Sequence, residues 1–288
     1  METTVKSPKA APKPKATKSA GFKGVKAAWL VMVVCFVIAF CFYKFVLGNP
    51  ENFQGGDPAN QPIQGNLLGT MYKGGFMVPI ILTCLLTDFA LIIERYFALR
   101  TAFGKTSLVK FVAGIKAALA AKDLEKAQKL CDQQRGSVAN VVSATLRKYK
   151  EMEADTVLTK EQKVLAIQKE LEESTALEMP MLQQNLPILA TLTTLGTLFG
   201  LFGTVMGMIR SFASLAGEGG TDSAMLSVGI SEALVNTASG IATAAFALMG
   251  YNYYTNKIDK LTFSLHNRTD FLGYSLINKQ ERLNHGTF

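Results

Sequence analysis

Residues 229–244, GISEALVNTASGIATA, carry a single carboxyl in an otherwise apolar run. Glu232, Asn236, Ser239 and Thr243 recur at i, i+4, i+7 and i+11, so on a helix they form one polar face several turns long. An acid near the centre of a bilayer costs about 2.5–3.5 kcal/mol on insertion scales, and intramembrane acids mark ion pathways, proton relays or paired charges. The chemistry this face offers is proton handling, with one ionisable group followed by an amide and two hydroxyls. A lone acid also fits a buried structural role, but four polar groups in register favour a surface that lines water or meets a partner.

A second helix-length run, 185–212, supplies a complementary surface. Gly196, Gly200, Gly203 and Gly207 follow the same i, i+4, i+7, i+11 spacing and contain two small-xxx-small units, which let another backbone come close. Beside them lie Thr193, Thr197 and Thr204. Their hydroxyls either form a polar surface or bond back to the carbonyl one turn earlier. Thr237 sits about 140° around its helix from Glu232, off the acidic face. No single chain encloses a pore with one such face. A closed ring of copies does, each turning its stripe inward.

The elements that must carry these faces are membrane spans. The chain has 288 residues, is 49% hydrophobic and has a formal charge of +8. A basic soluble protein of this size suggests nucleic acid. Here, however, the apolar residues cluster in long runs, and no aromatic-interleaved basic face, phosphate loop or zinc spacing is present. The pattern predicts an all-α polytopic protein with four spans over 27–47, 76–97, 185–212 and 225–255. Basic residues orient it. The tail 1–26 holds seven lysines and reads as disordered, the insert 98–184 opens with Arg100, Lys105 and Lys110, and the tail 256–288 is also basic. The loops 48–75 and 213–224 are poor in Lys and Arg. By the positive-inside rule both termini and the insert face the cytoplasm.

The first span lacks a small-residue cleavage site and ends at Tyr43 and Lys44, so it reads as an uncleaved anchor. Its Phe36, Phe40 and Phe42 predict a peripheral, lipid-facing position. Asp88, inside the second span, is expected to snorkel to the cytoplasmic interface or pair with a basic neighbour. The insert reads as a solvated helical bundle broken at Gly136, with Leu165, Leu171 and Leu177 among charges and Glu172 and Glu173 on a solvated face. Cys35, Cys41, Cys84 and Cys131 have no partner spacing, and His266 and His285 read as tail residues, so no disulfide, metal or cofactor is expected. No catalytic set converges and no inverted repeat of broken helices appears, so neither an enzyme nor a solute carrier is expected.

GLFGTVMGMIRSF (200–212) followed by GISEALVNTASGIATA (229–244) resembles the paired signatures of the ExbB/TolQ/MotA proton-channel family, nearest its ExbB branch. YKGGFMVPIIL, IIERYFAL and LPILATLTTLGTLFGLFGTV carry the resemblance across roughly 70–280. The resemblance implies a homopentameric ring in the inner membrane of a Gram-negative cell, with an ExbD-type single-span partner in the pore and a TonB-type protein receiving the work. A TolQ-like subunit of the Tol envelope system is the alternative, ahead of a MotA-like flagellar stator or a non-conducting scaffold. The resemblance also implies a pore glutamate at Glu232 and pore threonines at Thr204 and Thr237. In that family the proton-loading aspartate belongs to the partner, so Glu232 either carries protons or tunes the pore. Two features depart from the pattern: the additional first span, and Asn236 where a small apolar residue is expected.

Overall fold

The structure, a computed structural model, describes residues 28–121, 123–215 and 223–284, and the side chains among these outside 214–215, 223–225 and 264–284. The basic tail, the 216–222 segment, His285 and the side chain of His266 lie outside them. Within the described residues the chain is helical apart from short connections and one isolated bridge, Phe53 to Pro62. Four helical stretches are long and apolar enough to cross a membrane: Ala28–Leu47, Met77–Ala120, Leu186–Ala213 and Leu226–Phe263.

Helix α1 (Ala28–Phe42) continues through a π turn, Tyr43–Leu47. It is apolar all round, as a span should be. It packs on α3 (Met77–Phe103) and buries Cys35, Ala39 and Leu47, while Phe36, Phe40 and Phe42 stay exposed. The connection to α3 is folded rather than loose. Buried Asn52 donates to Val46 O and Leu47 O at 2.9 and 3.1 Å and accepts from Asn66 Nδ2 at 2.9 Å. Asn66 in turn caps α2 (Leu67–Tyr72) by accepting from Leu68 N and Gly69 N. Tyr72 stacks on Tyr43 at 4.7 Å and meets Phe53 edge-on. Lys73 donates to Pro58 O and Ala59 O, and burial lowers its pKa against the opposing pull of Asp57.

The insert is built from α4 (Leu108–Ala120), α5 (Leu124–Gln134), α6 (Ser137–Ala154) and α7 (Lys160–Gln183). It breaks at Gly136, φ 87°, after Arg135, φ 55°. Buried Gln134 ties this corner to the end of α3, donating to Phe103 O at 2.9 Å and Thr106 O at 2.8 Å. Helix α7 opens with a capping box, Thr159 and Gln162. Its buried positions are Lys163, Ile167, Leu171, Ser174 and Leu182, one face at helical spacing. Leu165 and Leu177 are exposed, because they fall off that face.

Helices α8 (Leu186–Leu215) and α9 (Ser223–Asn284) form the main packing unit. The sequence reading ends the fourth span at 255, yet α9 runs on through Asn284. Tyr254, Ile258 and Leu261 keep the apolar period beyond the span and bury it against the insert and α3. In the C-terminal half of α3, Arg95 is wholly buried and paired with its neighbour Glu94, Nε donating to Oε2 at 2.6 Å. This pair reaches Leu182 O and Asn185 Nδ2, which sit at the α7–α8 corner.

Candidate functional site

The four glycines of α8 face α9. A Cβ on Gly196 would lie 3.1 Å from Gly240 O, one on Gly200 3.2 Å from Asn236 O, and one on Gly207 2.7 Å from Gly229 O. Seen from α9, a Cβ on Gly240 would come within 2.5 Å of Gly196 O. The two backbones are therefore in direct contact along the stripe, which only residues without a side chain permit.

This seam brings the paired threonines together. The hydroxyls of Thr204 on α8 and Thr237 on α9 hydrogen-bond to each other. Each hydroxyl also lies 3.1 Å from a carbonyl of its own helix, Thr204 from Gly200 O and Thr237 from Ala233 O; with one proton each, one of the pair donates to the other while its partner donates back to its own helix. A hydroxyl both donates and accepts, so the pair can switch donor roles or take in a water without losing all partners. Thr193, Thr197, Ser239 and Thr243 bond one turn back, to Leu189 O, Thr193 O, Val235 O and Ser239 O. Of these Thr197 is exposed, Thr193 and Ser239 half-buried and Thr243 buried.

The acidic face is turned differently from the sequence expectation. Glu232 is 3% exposed, and Asn236 and Thr243 are fully buried within the protomer itself. The charge of Glu232 is met by Arg210 on α8, whose Nη1 donates to both carboxylate oxygens, at 2.6 and 2.8 Å. Arg210 is about half exposed and lies over the Phe76 ring at 5.8 Å. The other wall is the α2–α3 turn. Gly75 adopts φ 70°, and a Cβ there would lie 2.6 Å from Glu232 Oε1. Asn236 Nδ2 donates to Gly74 O at 2.9 Å, and Gly203 leaves room for the Asn236 side chain. Glycine is needed at 75 for both the left-handed backbone and the space.

Arg210 is the residue that sequence reading missed. Its signal was present: a guanidinium inside the apolar run MGMIRSF demands a partner as strongly as the acid does. Asp88 also departs from expectation. It neither snorkels nor pairs, being fully buried with no hydrogen-bond partner on either oxygen among the described residues. The Asp side chain is too short to reach past the two turns that separate it from the Glu94–Arg95 pair.

Residues 133–267 match the model of the MotA/TolQ/ExbB proton channel family. That segment, a little under half of the chain, is similar to this family. The family segment takes in α6, α7, α8 and most of α9, so Thr204, Arg210, Glu232 and Thr237 all fall within it, whereas Gly75 and Asp88 do not. Among family relatives, the Tol-Pal system protein TolQ of Haemophilus influenzae is 34% identical over 100 residues, 31% of this chain and 44% of that protein. A putative biopolymer transport protein ExbB-like 3 of Synechocystis is 39% identical over 87 residues, 29% of this chain and 41% of its own length. TolQ of Pseudomonas aeruginosa is 34% identical over 84 residues, 29% and 36% respectively. The chain thus spans about two fifths of the length of the curated relatives it matches.

Proposed function

We propose that this chain is an ExbB-like stator subunit of the inner membrane. It forms a homopentamer around an ExbD-type single-span partner and, with a TonB-type protein, converts proton-motive force into work on outer-membrane transport. The observation that carries this reading is the α8–α9 seam. Two hydroxyls meet there beside an ion-paired glutamate, inside the segment that matches a proton-channel family. The outer face of α9 supports assembly: Ile230, Leu234, Ile241 and Leu248 are exposed along one stripe, an apolar surface suited to neighbouring helices or a lumen that holds them. The basic tails and insert support cytoplasmic termini.

In this arrangement Thr204, Thr237 and Glu232 form the proton-responsive element. The remaining polar residues (Thr193, Thr197, Asn236, Ser239 and Thr243) condition its surroundings. The Gly stripe holds α8 and α9 together as one wall. Thr204→Val and Thr237→Val keep volume and remove the hydroxyls. Each is expected to assemble normally and to lose most proton-driven activity, read as siderophore-dependent uptake in cells with matched protein levels. Wild-type uptake by both variants would overturn the assignment.

A second reading has its own support, since two of the relatives named above are TolQ proteins. A TolQ-like subunit would serve envelope constriction rather than uptake. Deleting the gene separates the two: loss of transport with an intact envelope supports the first reading, and envelope leakage with normal transport supports the second.

A further inference from the structure

Asp88 sits on α3 in a buried stripe with Cys84, Leu91 and Arg95, spaced i, i+4, i+7 and i+11 from Cys84. Cys84 and Leu91 belong to the same apolar core as Leu189 and Leu192 of α8 and Ala247 of α9. The carboxyl therefore lies in the interior of α3, α8 and α9, and it is fully buried. Neither oxygen receives a hydrogen bond from any described residue.

The groups facing it from each packed element offer no countercharge. On α3 the nearest cation is Arg95, about 10 Å along the helix and bonded to Glu94. Within 186–212 the one ionisable residue of α8 is Arg210, which is bonded to Glu232 near the opposite end. Helix α9 brings Glu232 and, lower down, Tyr251, Tyr253 and Tyr254, the last donating to Ile92 O at 2.7 Å, then Lys257, whose ammonium lies over the Phe103 and Tyr253 rings about 15 Å along the helix from Ala247. Helix α1 carries Cys35 and Cys41 and, in the turn that continues it, Tyr43 and the cation Lys44, at the end that meets Tyr72 ahead of α3. Contacts Phe89 to Phe246 and Ile92 to Gly250 set Asp88 near the level of Ala247, so it lies about 20 Å along α9 from the level of Glu232.

An ionised carboxylate held in apolar packing without donors or a counterion is not a stable arrangement, and such a group takes up a proton instead. We propose that Asp88 is a proton-binding site of this chain, separate from the Glu232 element, a carboxyl that rests neutral between α3, α8 and α9 and exchanges its proton as those helices move during the working cycle. The second half of this rests on the proton-channel reading. The first half does not. The site lies outside the family segment, on a helix that the seam chemistry does not use.

The test separates the two halves. Infrared difference spectra of the full-length wild-type assembly in lipid, minus Asp88→Asn, are expected to show a protonated carboxylic C=O band at neutral pH. A symmetric and antisymmetric carboxylate pair in its place overturns the proposal whatever the function of the protein. Asp88→Asn mimics the neutral acid, so its yield and oligomer stability are expected to equal wild type. A collapse of either shows that the charge was held by a neighbouring chain and also overturns it. With assembly intact, proton-driven activity of Asp88→Asn is expected to fall at least tenfold. Unchanged activity overturns the exchange step. Loss of activity in Thr204→Val but not in Asp88→Asn leaves the channel reading standing and removes this site from it.

Discussion

Removing the guanidinium of Arg210 tests the main electrostatic feature of the seam. Glu232 is 3% exposed and takes two charge-assisted hydrogen bonds from Arg210 Nη1, at 2.6 and 2.8 Å. Arg210 itself keeps 48% of its side chain accessible. This asymmetry sets the magnitudes. Arg210→Ala strands a buried carboxylate, and breaking a buried pair in this way costs about 3–5 kcal/mol. Glu232→Gln keeps the shape and leaves a half-exposed arginine that can extend toward the interface, at a cost of about 1 kcal/mol. The double variant removes both charges together, so its loss should be nearer that of Glu232→Gln, giving a coupling of about 3 kcal/mol. Reversible unfolding of all four proteins in mixed micelles, followed by circular dichroism on titration with SDS, measures the cycle. Additive single effects, or a larger loss for Glu232→Gln than for Arg210→Ala, would refute the pairing.

The glycine seam makes a signed comparison. Gly240→Ala forces a Cβ to 2.5 Å from Gly196 O and 2.7 Å from Gly200 Cα, both backbone, and is expected to destabilise by about 2 kcal/mol or more. Gly114→Ala meets only the end of Leu130 at 3.3 Å and gains helix propensity, so it should stabilise by up to about 1 kcal/mol; thermal melts showing the same sign for both would reject this account. In the insert, backbone N–H groups of Leu158 and Val157 hold the Asp155 carboxyl below its usual range. The depressed value means that its stabilisation is present above the ordinary Asp value near ~3.9 and is lost as pH falls through the lower folded value. Asp155→Ala is therefore expected to lower the melting temperature at neutral pH, with the difference from wild type closing in acid; a difference that persists there would exclude the carboxylate as its source.

Periodicity carried much of this fold. The spacing of Gly196, Gly200, Gly203 and Gly207 announced a close helix contact, and the runs of apolar residues announced four spans. A helix face can be read from one sequence because it depends only on the turn angle. What that face meets depends on how each helix is rotated against its neighbours, and this is not local information. Hence Glu232 and Asn236 formed a legible stripe, but Arg210, 22 residues earlier across the α8–α9 connection, and Gly74–Gly75, at the start of α3, were not legible as its partners. Asp88 failed for another reason. Snorkelling suits long side chains near a span end, whereas a short acid on the inward face of α3 stays where the backbone puts it. The continuation of α9 past the membrane was visible in Tyr254, Ile258 and Leu261, but their period was masked by the basic residues between them.

Helix α9 begins beside the seam and ends far beyond it without a break. Its 62 residues correspond to about 93 Å, roughly three times the hydrocarbon thickness of a bilayer. The part beyond residue 255 is about 43 Å long, the length of a lever arm if the helix rocks as one piece. A rocking of α9 by about 5° around its membrane portion would sweep its far end through about 4 Å, a distance comparable to one hydrogen-bond layer. The same rod lies against α6 and α7, with Thr262 in contact with Met179, so such a displacement would also reach the insert there. A sub-ångström event at a hydroxyl pair therefore need not be amplified by unfolding or by a separate hinge. The gain is set by the length of one continuous helix, and shortening it should reduce the stroke in proportion while leaving the chemistry at its base intact.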